Sequence, residues 1–584
     1  MSEGIDSMSE TLWGSDAVAA VLQKLNLKYV ALVPGASYRG LHDSIVNYSK
    51  NENPHMLLCL HEEAAVAIAH GYAKVTDKPM LSIVHSNVGL MHASMAIFDA
   101  YCDRVPVIVF GANGPVDAMK RRPWIDWIHT TLDMGSQVRD YTKWDDAPGS
   151  PGAAVESVLR AWQVSTTAPC GPTFVVFDAA WQEQQLEKLP KIPDDIMKYA
   201  APAPPAPSAS EVERALAIMK AAKRPVILAG RSSRSLASWN ARIALAEALK
   251  AKVVSVQRAG AVFPTEHELH VGHAAQKPAL EALGAADAIL DLDAIDLGGI
   301  LRDAFKGEPT AKVVSCSLDR YIHKAWVADY QTLPALDLNI AASAETLVTE
   351  MVNALGKPTP APVHRNGTAP RKRPKADGGP FTMDAFSATV GEAFAGIDTC
   401  FIKVARGIKS SDTPFRHPLD YLGSDGGGVG SGPGIAVGAA LGLRGTGRLP
   451  VAVLGDGDYL MGVTAIWTAV ASEIPLLVVV ANNRSYYNDE VHQERIAIRR
   501  GRDPKRKWIG MRIDGPSPDC AKFAEAQGAI GMGPFTDADA LSAAIAQGIA
   551  HVRAGKVCVI DAHVVPDAVA NAAVPADVMD RAEK

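Results

Sequence analysis

Three consecutive doubly wound α/β domains with mainly parallel sheets are the fold class that the sequence predicts, and three observations predict it. First, LPVAVL before Gly455 and PLLVVVA before Asn482 are apolar runs of strand length, with MGVTAIWTAVAS between them at helical spacing. A strand–helix–strand unit of this kind crosses over right-handed and makes its strands parallel. Second, RPVILAG, KVVSV and AILDLD in the middle of the chain alternate with Ala-rich helical stretches, again a parallel-sheet pattern. Third, two Pro-rich stretches, Leu189 to Ser210 with APAPPAPSAS and Lys357 to Pro380, read as extended linkers. They divide the 584 residues into domains at 1–188, 211–356 and 381–566, followed by a tail at 567–584.

In the first domain, MLLCL (Met56 to Leu60) reads as a strand and HEEAAVAIAHGYAK (His61 to Lys74) as the helix after it. The stretch KPMLSIVHSNVGLMHASMAIFDAYCDRVPVIVFG then sets His85-Ser86 at a strand end. RRPWIDWIHTTLDMG follows with Trp124, Trp127 and His129, the tryptophans suiting a pocket wall or core packing equally. The second domain carries no clear GxGxxG, and AGRSSRS at Ala229 to Ser235 is a poor substitute. In the third, SDGGGVGSGPGIAVGAALG from Ser424 is a glycine-dense turn entering a small-residue helix. Such a turn can present N–H groups to phosphate, a plain tight turn being the alternative. RSYYNDEVHQERIAIRRGRDPKRKW after Asn483 is highly charged and lacks a clean helical stripe.

Composition narrows the classes. A formal net charge of −6 gives no bulk attraction for nucleic acid. The basic runs Arg371 to Arg373 and Arg499 to Lys507 read first as solvated segments, the second also able to attract an anionic substrate or a CoA phosphate. No apolar run approaches membrane-spanning length, and MSEGIDSMSE has no signal-peptide pattern. Seven dispersed cysteines without a CxxC pair suit free thiols in a reducing compartment and argue against zinc. The expectation is a cytoplasmic protein with neither nucleic acid nor membrane as partner.

The chemistry concentrates at Gly455-Asp456-Gly457 and Asn482-Asn483. The strand–helix–strand geometry brings Asp456 and Asn483 to the C-terminal sheet edge, where open α/β sheets bind ligands. A carboxylate and an amide oxygen there suit Mg²⁺, which takes its remaining ligands from phosphate and water. The glycines let a diphosphate approach the backbone and the following helix N-terminus.

GDG, the 24 residues before NN and both flanking strands resemble the metal–diphosphate signature of thiamine diphosphate enzymes. Within these the chain resembles the 2-oxoacid decarboxylase and acetolactate synthase group, and benzoylformate decarboxylase over Lys78 to Gly111. The resemblance implies pyrimidine-binding, central and diphosphate-binding domains in that order. It assigns the metal to Asp456, Asn483 and the Ser485 carbonyl. It assigns Glu62, with Glu63 as the adjacent alternative, to the cofactor's aminopyrimidine, where a carboxyl group promotes deprotonation of the thiazolium carbon. Gly427, Gly428, Gly455, Gly457 and Asp458 flank the diphosphate, and Val429 stands at the position that props the bent cofactor; relatives often carry Leu, Ile or Met there, so this departure either leaves a little more room or is filled by Ile435 and Met461. Asp458 stands where relatives often carry a small hydroxyl residue, and it is not assigned to the metal. A carboxylate beside a diphosphate is unfavourable unless it turns away or reaches the metal.

His85 and Ser86 correspond to the family's catalytic pair, with a structural histidine as the competing reading. Trp124 and His129 line the substrate pocket by the same resemblance, and Glu490 and His492 are the later groups able to move protons or else solvated helix-face residues. The activity implied is a carbon–carbon lyase or decarboxylase acting on a 2-oxo acid or acyl substrate through an enamine. Acetolactate-synthase-like carboligation, 2-hydroxyacyl-CoA lyase or oxalyl-CoA decarboxylase chemistry are the alternatives, with a catalytically silent thiamine diphosphate binder as a different class. Thiamine diphosphate and Mg²⁺ are the implied cofactors, FAD stays open, and the implied assembly is a homodimer or homotetramer with its active site between subunits.

Overall fold

The computed structural model describes residues 11–256, 258–319, 333–356, 371–375, 378–423 and 428–565. They fall into two compact units, one within 1–73 and 78–202, the other within 74–77 and 203–584. Gly427 and the tail at 567–584 lie outside the described residues.

The first unit is built on strands β1 (Tyr29–Leu32), β2 (His55–Leu58), β3 (Met80–Ile83), β4 (Val107–Asn113), β5 (Trp144–Asp146) and β6 (Thr173–Asp178). They lie in the order β2-β1-β3-β4-β6-β5, every pair parallel. β3 is buried along its whole length and β4 nearly so, as strands of a sheet covered on both faces must be. Helices α1 (Gly14–Leu25), α2 (Glu62–Thr76, up to residue 73), α3 (Ser86–Cys102) and α4 (Pro151–Thr166) belong to this unit. α4 starts where Ser150 caps the Ala153 N–H and Pro151 fits the first turn. Val30, Leu32, Ile83, Phe110 and Phe177 centre its core.

The second unit holds two sheets. The first has β7 (Pro225–Ala229), β8 (Lys252–Ser255), β9 (His270–His273), β10 (Ala288–Leu292), β11 (Lys312–Cys316) and β12 (Leu338–Ile340), in the order β9-β8-β7-β10-β11-β12. The second has β13 (Thr399–Lys403), β14 (Leu449–Gly455), β15 (Leu476–Asn482), β16 (Ile530–Phe535) and β17 (Val557–His563), in the order β13-β14-β15-β17-β16. Both are wholly parallel, and one continuous apolar core joins them. The three parallel sheets agree with the predicted fold class.

Two local expectations need correction. The run after GDG is not one helix: α5 (Gly432–Gly442) precedes β14, and after it come α6 (Asp456–Met461) and a separate α7 (Ala465–Ala471). The break falls at Gly462, where an added Cβ would lie 2.0 Å from the Gly430 carbonyl oxygen, so the chain turns there to clear the glycine-rich loop. The charged stretch after Asn483 does form a helix, α8 (Tyr487–Arg499). It buries only Glu490 and Ala497, too narrow a contact to write an apolar stripe. Among the described residues no helix is long and apolar enough to cross a membrane, and all seven cysteines are free.

Candidate active site

In the first unit, the turn from β2 into α2 buries Glu62. Its Oε2 lies 3.1 Å from His92 Nδ1 on α3. Burial, then the charges of Glu62 and Cys59, push the neighbouring Tyr38 phenol far above its ordinary range. His85 caps α3 just past β3, and its Nδ1 meets the Ser37 hydroxyl at 2.9 Å. Gly35 makes room for it, since a Cβ there would fall 2.3 Å from the imidazole. His129 lies beside His85 with ring centroids 5.0 Å apart, its own Nδ1 2.9 Å from the Ile125 carbonyl oxygen.

Burial first, then His129 and Arg122, lower the His85 pKa against the pull of Glu62. This shift favours the neutral imidazole, whose Nδ1 is engaged by Ser37. The structure therefore brings Glu62, His85 and His129 together. It does not turn Ser86 toward them. Ser86 sits buried at φ +43°, a strained left-handed position at the strand-to-helix junction, and its hydroxyl donates to Asn87 Oδ1 at 3.1 Å. Trp124 and Trp127 are 70% and 74% exposed, which removes core packing as their role.

In the second unit, β14 and β15 deliver the GDG and NN segments to one sheet edge. The Ser485 N–H donates to both Asp456 Oδ2, at 3.1 Å, and Asn483 Oδ1, at 2.9 Å, so the two oxygens converge on one point. Asn482 has a different task. It is buried, donates to Asp561 Oδ1 at 3.0 Å, and accepts the Arg484 N–H at 3.1 Å, holding Arg484 at φ +55°. The Ser485 hydroxyl donates to buried Glu490, which Arg512 approaches at 3.6 Å. His492 is partly buried on the same helix.

The donor set fits a hard cation. Every donor is oxygen, and burial pushes the Asp456 carboxyl up to about 6 although the N–H groups of Gly457, Asp456, Ser485 and Arg484 pull it down. An added Cβ at Gly455 would meet nothing within 4 Å, so space lies open beside it.

Asp458 turns away from this point. Its Oδ1 accepts the N–H groups of Gly430, at 2.8 Å, and Gly432, at 3.2 Å, and its Oδ2 pairs with Lys403 at 2.9 Å. Two N–H groups of the glycine-rich loop are thus already taken by an internal carboxylate. Val429 stands 46% exposed, Met461 is exposed, and Ile435 is buried in the core.

The central sheet reverses strand order between β7 and β10, the place where doubly wound sheets bind dinucleotides. There Arg231 pairs with Asp319 at 3.1 Å and Arg242 faces Glu345 at 3.8 Å. Gly230, Ser232, Leu292 and Val348 line a small cleft there with these two arginines.

Sequence reasoning missed Ser37, His92 and Lys403. Ser37 follows a Pro-Gly turn and Lys403 ends a strand, which are the only local signals either carries.

Comparison with known proteins covers most of the chain. Residues 12–136 match the N-terminal TPP binding domain of thiamine pyrophosphate enzymes, 212–314 their central domain and 409–562 their C-terminal TPP binding domain. The acetolactate synthase large subunit of Corynebacterium glutamicum is 27% identical over 82% of this chain and 76% of its own length. The benzoylformate decarboxylase of Pseudomonas aeruginosa is 23% identical over 78% of this chain and 86% of its own. The crystal structure of benzoylformate decarboxylase from Polynucleobacter necessarius superposes with a TM-score of 0.76 at 19% identity, covering 95% of this chain and 98% of that one, a likeness of fold. With all three domains matched in their order, the chain belongs to the thiamine pyrophosphate enzymes.

Proposed function

We propose that the protein is a thiamine-diphosphate- and Mg²⁺-dependent carbon–carbon lyase that decarboxylates a 2-oxo acid or related 2-carbonyl substrate. One observation carries the reading: a buried Glu62 beside a His85 held between Ser37 and His129. Bound thiamine diphosphate supplies a nucleophilic carbon and a sink for the electron pair that the departing fragment leaves behind. Glu62 holds a proton at a carboxyl oxygen and exchanges it with the aminopyrimidine ring. His85, its Nδ1 fixed by Ser37, keeps Nε2 for the substrate, where it orients a carboxylate or delivers a proton. Asp456, Asn483 and the Ser485 carbonyl hold Mg²⁺, while Glu490 fixes the Ser485 side chain. The assembly in this reading is a homodimer or homotetramer with its active site between subunits.

Carboligation is the second reading, favoured by the acetolactate synthase that aligns with 82% of the chain. CO₂ release from aliphatic and aryl 2-oxo acids, with thiamine diphosphate and Mg²⁺ and with or without an acceptor aldehyde, separates the two. A free aldehyde product supports the lyase. A 2-hydroxy ketone formed even without added acceptor supports the ligase. Silence across the panel rejects both and shifts the assay to acyl-CoA thioesters.

A further inference from the structure

Glu62 makes one contact that the proposed reaction leaves unused. Its Oε2 lies 3.1 Å from His92 Nδ1, while its Oε1 packs over Gly89, where an added Cβ would sit 3.0 Å away. His92 comes from α3, a different element, and its side chain is half exposed whereas that of Glu62 is almost wholly enclosed. The His92 ring stacks on His61 with centroids 5.0 Å apart and planes 20° from parallel. His61 Nδ1 accepts the Glu63 N–H at 3.2 Å, so a neutral His61 carries its proton on Nε2. The buried carboxyl group thus opens outward through one imidazole, with a second alongside.

We propose that His92 is a positioning residue that serves as the proton relay of Glu62. The proposal rests on the reading that Glu62 exchanges a proton with the cofactor. When Glu62 has given up its proton, the carboxylate takes the Nδ1 proton of His92. His92 takes a proton at Nε2 from a hydronium ion or a buffer acid of the solvent and changes tautomer, so the imidazole ends neutral and the donor is left as water or as the buffer's conjugate base. The return flow reverses both transfers.

The test uses full-length protein loaded with thiamine diphosphate and Mg²⁺. Deuterium exchange at the thiazolium carbon is followed by quenching and NMR in wild type, Glu62→Gln and His92→Gln. Cofactor affinity is measured by calorimetry, and His92→Asn, its fold checked by circular dichroism, serves as a second variant. His92→Gln is expected to bind cofactor within about twofold of wild type, to exchange roughly tenfold or more slowly, and to recover as imidazole buffer is raised. Wild type is expected to ignore the buffer.

Unchanged exchange, slowed exchange without buffer recovery, or lost cofactor binding in both His92 variants overturns the relay. Wild-type exchange in Glu62→Gln overturns the reading beneath it as well. Exchange lost in Glu62→Gln but intact in His92→Gln removes the relay alone.

Discussion

Asp456 and Asn483 share the Ser485 N–H, and this shared donor fixes their spacing before any ligand arrives. We expect Asp456→Ala to abolish Mg²⁺-dependent thiamine diphosphate binding, measured by calorimetry with and without the metal. Unchanged affinity would remove Asp456 from the metal site. These residues were legible in the sequence because strand, turn and strand lie within a few dozen residues, so local pattern implies spatial convergence. Glu62 and His85 were legible for the same reason, each at a strand-to-helix junction. Their partners were not. Ser37 lies 48 residues from His85, and His92 lies 30 from Glu62 across another helix, so only the folded sheet order brings them together. The direction of the Ser86 hydroxyl was not legible, because it depends on a left-handed backbone that sequence pattern does not write.

At the scale of elements, the end of β13 is tied to the start of α6 by Lys403 and Asp458, both largely buried. Removing one member of such a pair strands the other charge in a poorly solvated place. Lys403→Met is expected to destabilise the protein by about 3 kcal/mol, read from urea unfolding. Asp458→Asn in the same background should return part of that loss, because it removes the stranded charge. Additive effects of the two changes would show that the pair does not couple. The broken helix after GDG teaches a related lesson. Apolar spacing over MGVTAIWTAVAS favoured continuity, but the approach of Gly462 to the Gly430 backbone overrode it. Likewise α8 escaped its pattern because it offers the core only two residues, one of them a glutamate.

For the molecule as a whole, strand runs and Pro-rich breaks carried the fold class, because buried parallel strands must be apolar nearly throughout. The common core of the two later sheets was invisible, since side chains far apart in sequence build it. That unit also carries an acid sensitivity. His270 Nε2 meets Ser255 Oγ at 3.0 Å, with His273, His267, Phe263 and the Thr265 backbone around it, and burial pulls its pKa down to about 4. The unfolded chain takes up this proton near the ordinary value of about 6.5, the folded chain only near 4. The stability in question is therefore present above about pH 6.5 and lost on the way down to 4, on the order of 3 kcal/mol. Burial lowers His273 in the same direction. Melting temperatures should fall more steeply over this window in wild type than in His270→Gln, and parallel profiles would clear His270 of the effect. The carboxylate that Asp458 lays on Gly430 and Gly432 is an anion built into the loop. Any stray anion, inorganic phosphate above all, must displace a rival whose local concentration the covalent chain keeps high and whose charge Lys403 already balances. A cofactor diphosphate at this loop, as proposed, would reach those two N–H groups only by displacing that carboxylate.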